Sequence, residues 1–245
     1  MERRIMNAIH PTNTKIVMGM LSCGILAAAC FASIPAQAAF VSNGSFEFPN
    51  TSPGTVMNIN AGTEPAGFAW TVTTGNVDIV RNGFAGSTAT AYDGAQMLDL
   101  VGSGSIGGIS LLLPTTTVGT QYTLSFAYAN NPFNGPTTAS ASVSLLDGAS
   151  PLFSESITHD ASSTFNYNWA SFNRVFTGTG NPVTLAFDNT IAIAGGNGGI
   201  LLDAISLTPV PVPAAIWHWF GCSLCSLSQI MASPNPGGGV TVTNQ

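Results

Sequence analysis

Apolar residues recur at every second position along residues 121–129, where Tyr122, Leu124, Phe126 and Tyr128 alternate with Thr123, Ser125 and Ala127. A period of two sends successive side chains to opposite faces of an extended backbone, so this segment reads as a strand with one face buried. The same rhythm sets Ala139, Ala141, Val143 and Leu145 against Ser140, Ser142 and Ser144, and returns in Val183, Leu185 and Phe187. Short runs rich in β-branched and aromatic residues predict further strands over 69–73, 77–80, 96–101, 108–113, 153–158, 169–176 and 200–207. Between them stand Asn43-Gly44, Asn82-Gly83, Asp93-Gly94, Asn134-Gly135-Pro136, Asp147-Gly148 and a glycine-rich run over 195–199, all residues that tolerate the positive φ of tight turns. About ten strands at such spacing, with no sustained helical period, predict an all-β fold: an antiparallel jelly-roll β-sandwich over 39–208.

The ends of the chain differ in kind. Arg3, Arg4 and Lys15 precede an uncharged apolar run over 16–32 that closes in the small-residue site Ala36-Gln37-Ala38. This pattern predicts a secretory signal peptide over 1–38, cleaved after Ala38. From residue 39 on, only Arg81 and Arg174 stand against ten acids, a formal balance of −8. So few cations exclude a nucleic-acid partner. Charged residues make up only 7% of the chain, against about 25% in an ordinary soluble domain, so Ser, Thr, Asn and Gly must carry its solubility. Cys23 and Cys30 lie in the leader and Cys222 and Cys225 near the C-terminus, which leaves the body without a disulfide. Its stability must come from packing, with a metal as candidate support.

Asp203 stands in phase with Leu201, Ile205 and Leu207, while Ile200, Leu202 and Ala204 make the other face of its strand apolar as well. A carboxylate in such surroundings needs a partner. One solution is a hard cation with oxygen ligands, calcium in an exported protein; the other is backbone amides at the sheet rim. The inventory for catalysis is thin. His159 sits in a polar stretch expected to be a loop, no Gly-x-Ser-x-Gly elbow occurs, and Asp78, Asp93, Asp99 and Asp188 offer no distinguished carboxylate pair, so no catalytic residue is assigned. Sugar recognition needs an exposed aromatic ring beside convergent hydrogen-bonding groups. Tyr92 with Asp93, and Asn130, Asn131 and Phe133 between two strands, are the candidates; Trp70 and Trp169 are assigned to the core.

Several short motifs occur in a familiar order: Val41-Ser42-Asn43-Gly44-Ser45-Phe46-Glu47, Trp70, Gly75-Asn76-Val77-Asp78-Ile79-Val80, the run from Asp93 to Leu100, Gly107-Gly108-Ile109-Ser110, Tyr122-Thr123-Leu124-Ser125-Phe126, Asn131-Pro132 and Leu202-Asp203-Ala204-Ile205-Ser206-Leu207. On these the chain resembles the choice-of-anchor C family of bacterial exported proteins, itself similar to galactose-binding-like jelly rolls and many carbohydrate-binding modules. The resemblance implies a jelly roll of roughly eight to ten strands at the cell surface or in the extracellular matrix. It also implies a structural calcium between first and last strands, with Glu47 and Asp203 at the matching positions. Val210-Pro211-Val212-Pro213-Ala214-Ala215-Ile216-Trp217 looks like the start of a PEP-CTERM sorting tail with Val212 in place of the usual acid. The apolar stretch that follows breaks at His218, Gly221, Cys222 and Ser223, and no Lys or Arg comes after Arg174. Residues 209–245 are therefore expected to be a degenerate tail, irregular or partly helical, that does not retain the protein in a membrane. The expectation is a non-enzymatic exported protein that meets export and sorting machinery and binds extracellular polysaccharide or cell-wall glycan. A glycan-cleaving hydrolase and a purely structural matrix or adhesion component are the alternatives.

Overall fold

The computed structural model describes residues 40–191 and 196–211. The leader over 1–38, the tail from 212 on with Cys222 and Cys225, and Gly195 of the glycine-rich run lie outside the described residues. The strands are β1 (Val56–Asn60), β2 (Thr71–Thr74), β3 (Asn76–Arg81), β4 (Gln96–Asp99), β5 (Val101–Gly102), β6 (Ser105–Ile106), β7 (Gly108–Leu113), β8 (Gln121–Asn130), β9 (Ala139–Asp147), β10 (Ser150–His159), β11 (Ala170–Thr177), β12 (Val183–Asn189) and β13 (Ile200–Pro209). A six-stranded sheet in the order β1-β3-β4-β13-β8-β11 faces a five-stranded sheet in the order β10-β9-β12-β7-β2, with β5-β6 as a separate hairpin. Every pairing is antiparallel. The fold is an all-β jelly-roll sandwich.

The predicted strands are all present, with two additions and one break. β1 escapes the sequence pattern because only Ile59 of its five residues is buried. The run over 96–101 breaks at Leu100, where the Asp99 carboxylate accepts the Val101 N–H at 2.9 Å and so competes with the ladder. The freed segment turns back as the β5-β6 hairpin.

Between the sheets lies one large apolar core. The six-stranded sheet supplies Ile79, Leu98, Leu124, Phe126 and Leu202, and the five-stranded sheet supplies Ile109, Leu113, Val143, Leu185 and Phe187. Trp70 is buried among Phe46 and Phe187, at 5.7 and 6.1 Å between ring centres. The expectation of one-sided strands holds for the five-stranded sheet, whose outer face carries Ser110, Ser142, Ser144 and Thr184 together with the exposed Leu112. It fails for the middle of the other sheet. There Val80, Met97, Ala129 and Leu201 on the outer face are buried under Ala89 and Tyr167, with Phe84, Ala91 and Trp169 packed around them. Two loops supply this cover, and they are tied together by the Thr88 and Ala89 N–H groups donating to the Thr164 carbonyl at 3.0 and 3.2 Å. Trp169 therefore belongs half-buried to this outer cluster, and not to the main core.

The doubly apolar pattern around Asp203 has a geometric explanation. A bulge between Asp203 and Ser206, with Ala204 at φ 51°, switches the phase of β13. Ile200 and Leu202 before it and Ile205 and Leu207 after it all reach the core, while Leu201 and Asp203 turn to the outer side. His159 likewise departs from expectation. It is not in a loop: it ends β10, is buried, and its Nε2 donates to the Asn168 carbonyl at 2.9 Å.

Candidate functional site

On the outer face of the six-stranded sheet, beyond the edge of the loop cover, the residues facing out become small. Ser125 and Ala127 of β8 and Ala204 of β13 form the floor of a groove of about 300 Å3, and Ser171 and Asn173 of the edge strand β11 form one wall. The opposite wall is the ring of Tyr92, which is 56% exposed. Phe126 and Phe172 contribute from beneath; their rings stack on each other in the core at 4.7 Å. Ser125 Oγ shares a 2.8 Å hydrogen bond with Ser206 Oγ, and each hydroxyl keeps further bonding capacity. Neither Ser171 nor Asn173 is engaged by another described side chain. The groove thus joins an exposed aromatic wall to free hydroxyl and amide groups, and every residue lining it is uncharged.

The position of Tyr92 is set by two carboxylates from opposite ends of the domain. Asp203 Oδ2 accepts the Tyr92 and Asp93 N–H groups at 2.8 and 3.0 Å, and its Oδ1 accepts the Ala204 N–H at 2.7 Å. Glu47 Oε1 accepts the Ala95 and Gln96 N–H groups at 2.7 and 2.8 Å. Gly94, at φ +72°, is required between them: a Cβ there would lie 2.3 Å from Glu47 Oε1. Ser45 Oγ donates to Asp93 Oδ2 at 2.6 Å, and Tyr92 packs edge-on against Trp169 with ring centres 6.2 Å apart. Glu47 and Asp203, the pair matched to a calcium site, are therefore brought together through the turn over 92–96, which both hold by its amides. Among the described residues no three of His, Cys, Asp and Glu form a metal-ligand group. Burial pushes the Asp203 carboxyl up to about 7 against the pull of its three amide donors.

A second buried carboxylate is, in sequence, only one of four acids with no distinguished pair. Asp99 is fully buried and lies opposite Asp78 in the β3-β4 ladder. Asp99 Oδ1 accepts Val101 and Gly199 N–H, at 2.9 and 3.0 Å, and Oδ2 accepts Asn131 Nδ2 at 2.6 Å. Desolvation, with the Asp78 charge a smaller contributor, drives Asp99 up to about 8. Burial raises Asp78 as well, against a 2.7 Å bond from Asn58 Nδ2. Both carboxyl groups of the pair are buried.

Of the five candidate sugar contacts, Tyr92 lines the groove and Asp93 stands beside it, exposed and bonded to Ser45. Asn130, Asn131 and Phe133 do not join them. Asn130 is buried, its Oδ1 taking the Ser162 N–H at 3.0 Å and lying 2.7 Å from His159 Nδ1. Asn131 is buried between Asp99 and the Phe133 N–H, and Phe133 packs edge-on against Phe84 at 5.6 Å. Both asparagines pin loops in place, a role that the Asn-Asn pair shares in sequence with an exposed contact loop. Ser125, Ser171, Asn173 and Ala204 were missed, because a small residue on a strand carries no local mark of what stands across from it.

No curated protein matches the chain. Among solved structures, TmCBM61 in complex with beta-1,4-galactotriose is similar over 71% of this chain and 100% of its own, at 13% identity and a TM-score of 0.41. The CBM22-1 xylan-binding domain of Paenibacillus barcinonensis Xyn10C is similar over 66% and 99%, at 15% identity and a TM-score of 0.37. A family 35 carbohydrate-binding module from Clostridium thermocellum is similar over 64% and 99%, at 12% identity and a TM-score of 0.37. The model of one family, described as protein of unknown function (DUF642), matches residues 39–208, the whole extent of the sandwich, and the chain belongs to that family.

Proposed function

We propose that this protein is a non-catalytic carbohydrate-binding module acting outside the cell, with the groove beside Tyr92 as its binding site. The observation that carries the reading is the exposed Tyr92 ring set across from the unengaged Ser171 and Asn173. A pyranose presents an apolar C–H face and a rim of hydroxyls; the first is met by the electron-rich face of an aromatic ring, the second by hydroxyl and amide groups in a groove. Catalysis of glycoside cleavage asks for two carboxyl groups flanking the bond. No carboxylate lines this groove, and Asp78 and Asp99 are enclosed. Export rests on the leader-like segment over 1–38.

A glycan array with the full chain, run beside a reducing-end assay on every glycan it retains, tests the reading. Retention without release of reducing ends is the expected result. Release of new ends would instead establish a hydrolase, and retention of no glycan at all would leave a structural or adhesion component. Substitution of Tyr92 by alanine is expected to weaken retention by about tenfold, equivalent to about 1.4 kcal/mol, without lowering the melting temperature.

A further inference from the structure

Resting on the carbohydrate-binding reading, the geometry points to a ligand class: the groove beside Tyr92 takes neutral glycans and discriminates against uronate- or sulfate-bearing ones. Three observations meet here. The groove is lined by Tyr92, Ser125, Ala127, Ser171, Asn173 and Ala204, with strand residues Phe126 and Phe172 beneath, and none of these carries charge. The domain has only two cationic side chains, and both are engaged elsewhere. The Arg81 guanidinium donates to Asn50 Oδ1 and, at 3.4 Å, to Gln96 Oε1. Arg174 Nε lies 3.2 Å from Glu155 Oε1 and the guanidinium sits 5.7 Å from the centre of the Phe153 ring. Although Arg174 follows Asn173 in sequence, it is paired across the ladder with Leu124, a core residue, so it leaves the strand on the side away from the groove.

An anionic sugar entering the groove would give up hydration without gaining a cation, and such an uncompensated charge is costly to desolvate. The wider field acts in the same direction. Asp93 stands exposed next to Tyr92, Asp203 lies behind it, and the chain from residue 39 on carries a formal −8, which repels polyanions during approach. A neutral chain meets neither obstacle. Its hydroxyls exchange water for Ser171, Asn173 and the Ser125 hydroxyl, and its ring face covers Tyr92.

The test uses the full chain in affinity electrophoresis and calorimetry against neutral xylan, mannan, galactan and fully methyl-esterified homogalacturonan. De-esterified homogalacturonan and alginate serve as the anionic arm. The expected result is retention by one or more neutral polymers, with affinity changing less than about twofold between low and high salt because no ion pairs form. Where the esterified homogalacturonan binds, its de-esterified form is expected to bind about tenfold or more weakly. Tyr92→Ala should weaken retention by about tenfold and Asn173→Ala should weaken it as well, each with an unchanged melting temperature as the control for folding. Tyr92-dependent binding of the anionic polymers as tightly as the neutral ones overturns the ligand class while leaving the carbohydrate-binding reading intact. Failure to retain any polymer in either arm overturns that reading and the ligand class with it.

Discussion

A carboxyl withdrawn from water is more easily kept protonated than ionised, and Asp99 is fully buried, with Asp78 opposite it in the ladder adding a smaller push in the same direction. Its folded pKa is raised to about 8 from 3.8, so the folded state binds more protons than the unfolded one throughout that interval. Stability from this group is therefore full below its unfolded value and lost as pH rises through about 8. Asp203, raised to about 7, acts with the same sign over a lower window. The free energy of unfolding is expected to fall between acidic and mildly alkaline pH, read from urea midpoints. Asp99→Asn should flatten the upper part of that profile while costing stability at low pH, since an amide cannot satisfy Asn131 Nδ2 at the same place. A stability that climbs with pH, or a variant with the wild-type slope, would refute this account. The lowered carboxyl of Glu64 acts with the opposite sign and only at the acidic end, below 4.5.

At the scale of elements, the opening segment and the closing strand are joined by the turn over 92–96, with Glu47 holding one half and Asp203 the other. Ile205 N–H donates to the Gly44 carbonyl at 2.9 Å, so the two segments also meet directly. The expectation of calcium rests on the resemblance and on a carboxylate in want of a partner; the partners described at Asp203 and Glu47 are backbone amides. Asp203→Ala leaves the Tyr92, Asp93 and Ala204 amides without their acceptor, and its expected cost is about 2–4 kcal/mol. The same variant is expected to weaken glycan retention, because it frees the wall of the groove. Melting temperatures of wild type in calcium and in chelator are expected to coincide; a drop of several degrees on chelation would restore a cation to this junction.

For the molecule as a whole, no covalent clip is available between residues 39 and 208, and the sandwich depends on its core and on how its open edges are finished. The edge strands β10 and β11 sit at one side of the two sheets, linked by Glu155 and Arg174. Both side chains are substantially exposed, so Arg174→Ala is expected to change stability by less than about 1 kcal/mol, measured by denaturant unfolding. Melting should not respond to reductant. A larger loss from the arginine variant would mean that the pair, with its packing on Phe153, contributes more than an exposed ion pair usually does.

Strand positions were legible because burial of one face imposes period two on the sequence, and 121–129, 139–145 and 183–188 carry that period plainly. The exposure of Tyr92 and Asp93 was legible because a ring beside an Asp-Gly turn stands where the chain reverses at the surface. The sequence also determined the poverty of cations, on which the ligand class rests. The rest depended on distance in sequence. Which outer positions are covered, which amides meet Asp203, and that Ser125, Ser171, Asn173 and Ala204 converge on Tyr92 follow from the register of β8, β11 and β13 and from the bulge at Ala204. Those are set by contacts between segments far apart in sequence, as in the bond from Tyr92 N–H to Asp203 across 111 residues. Local periodicity records whether a side chain is buried; only the closed sandwich decides against what.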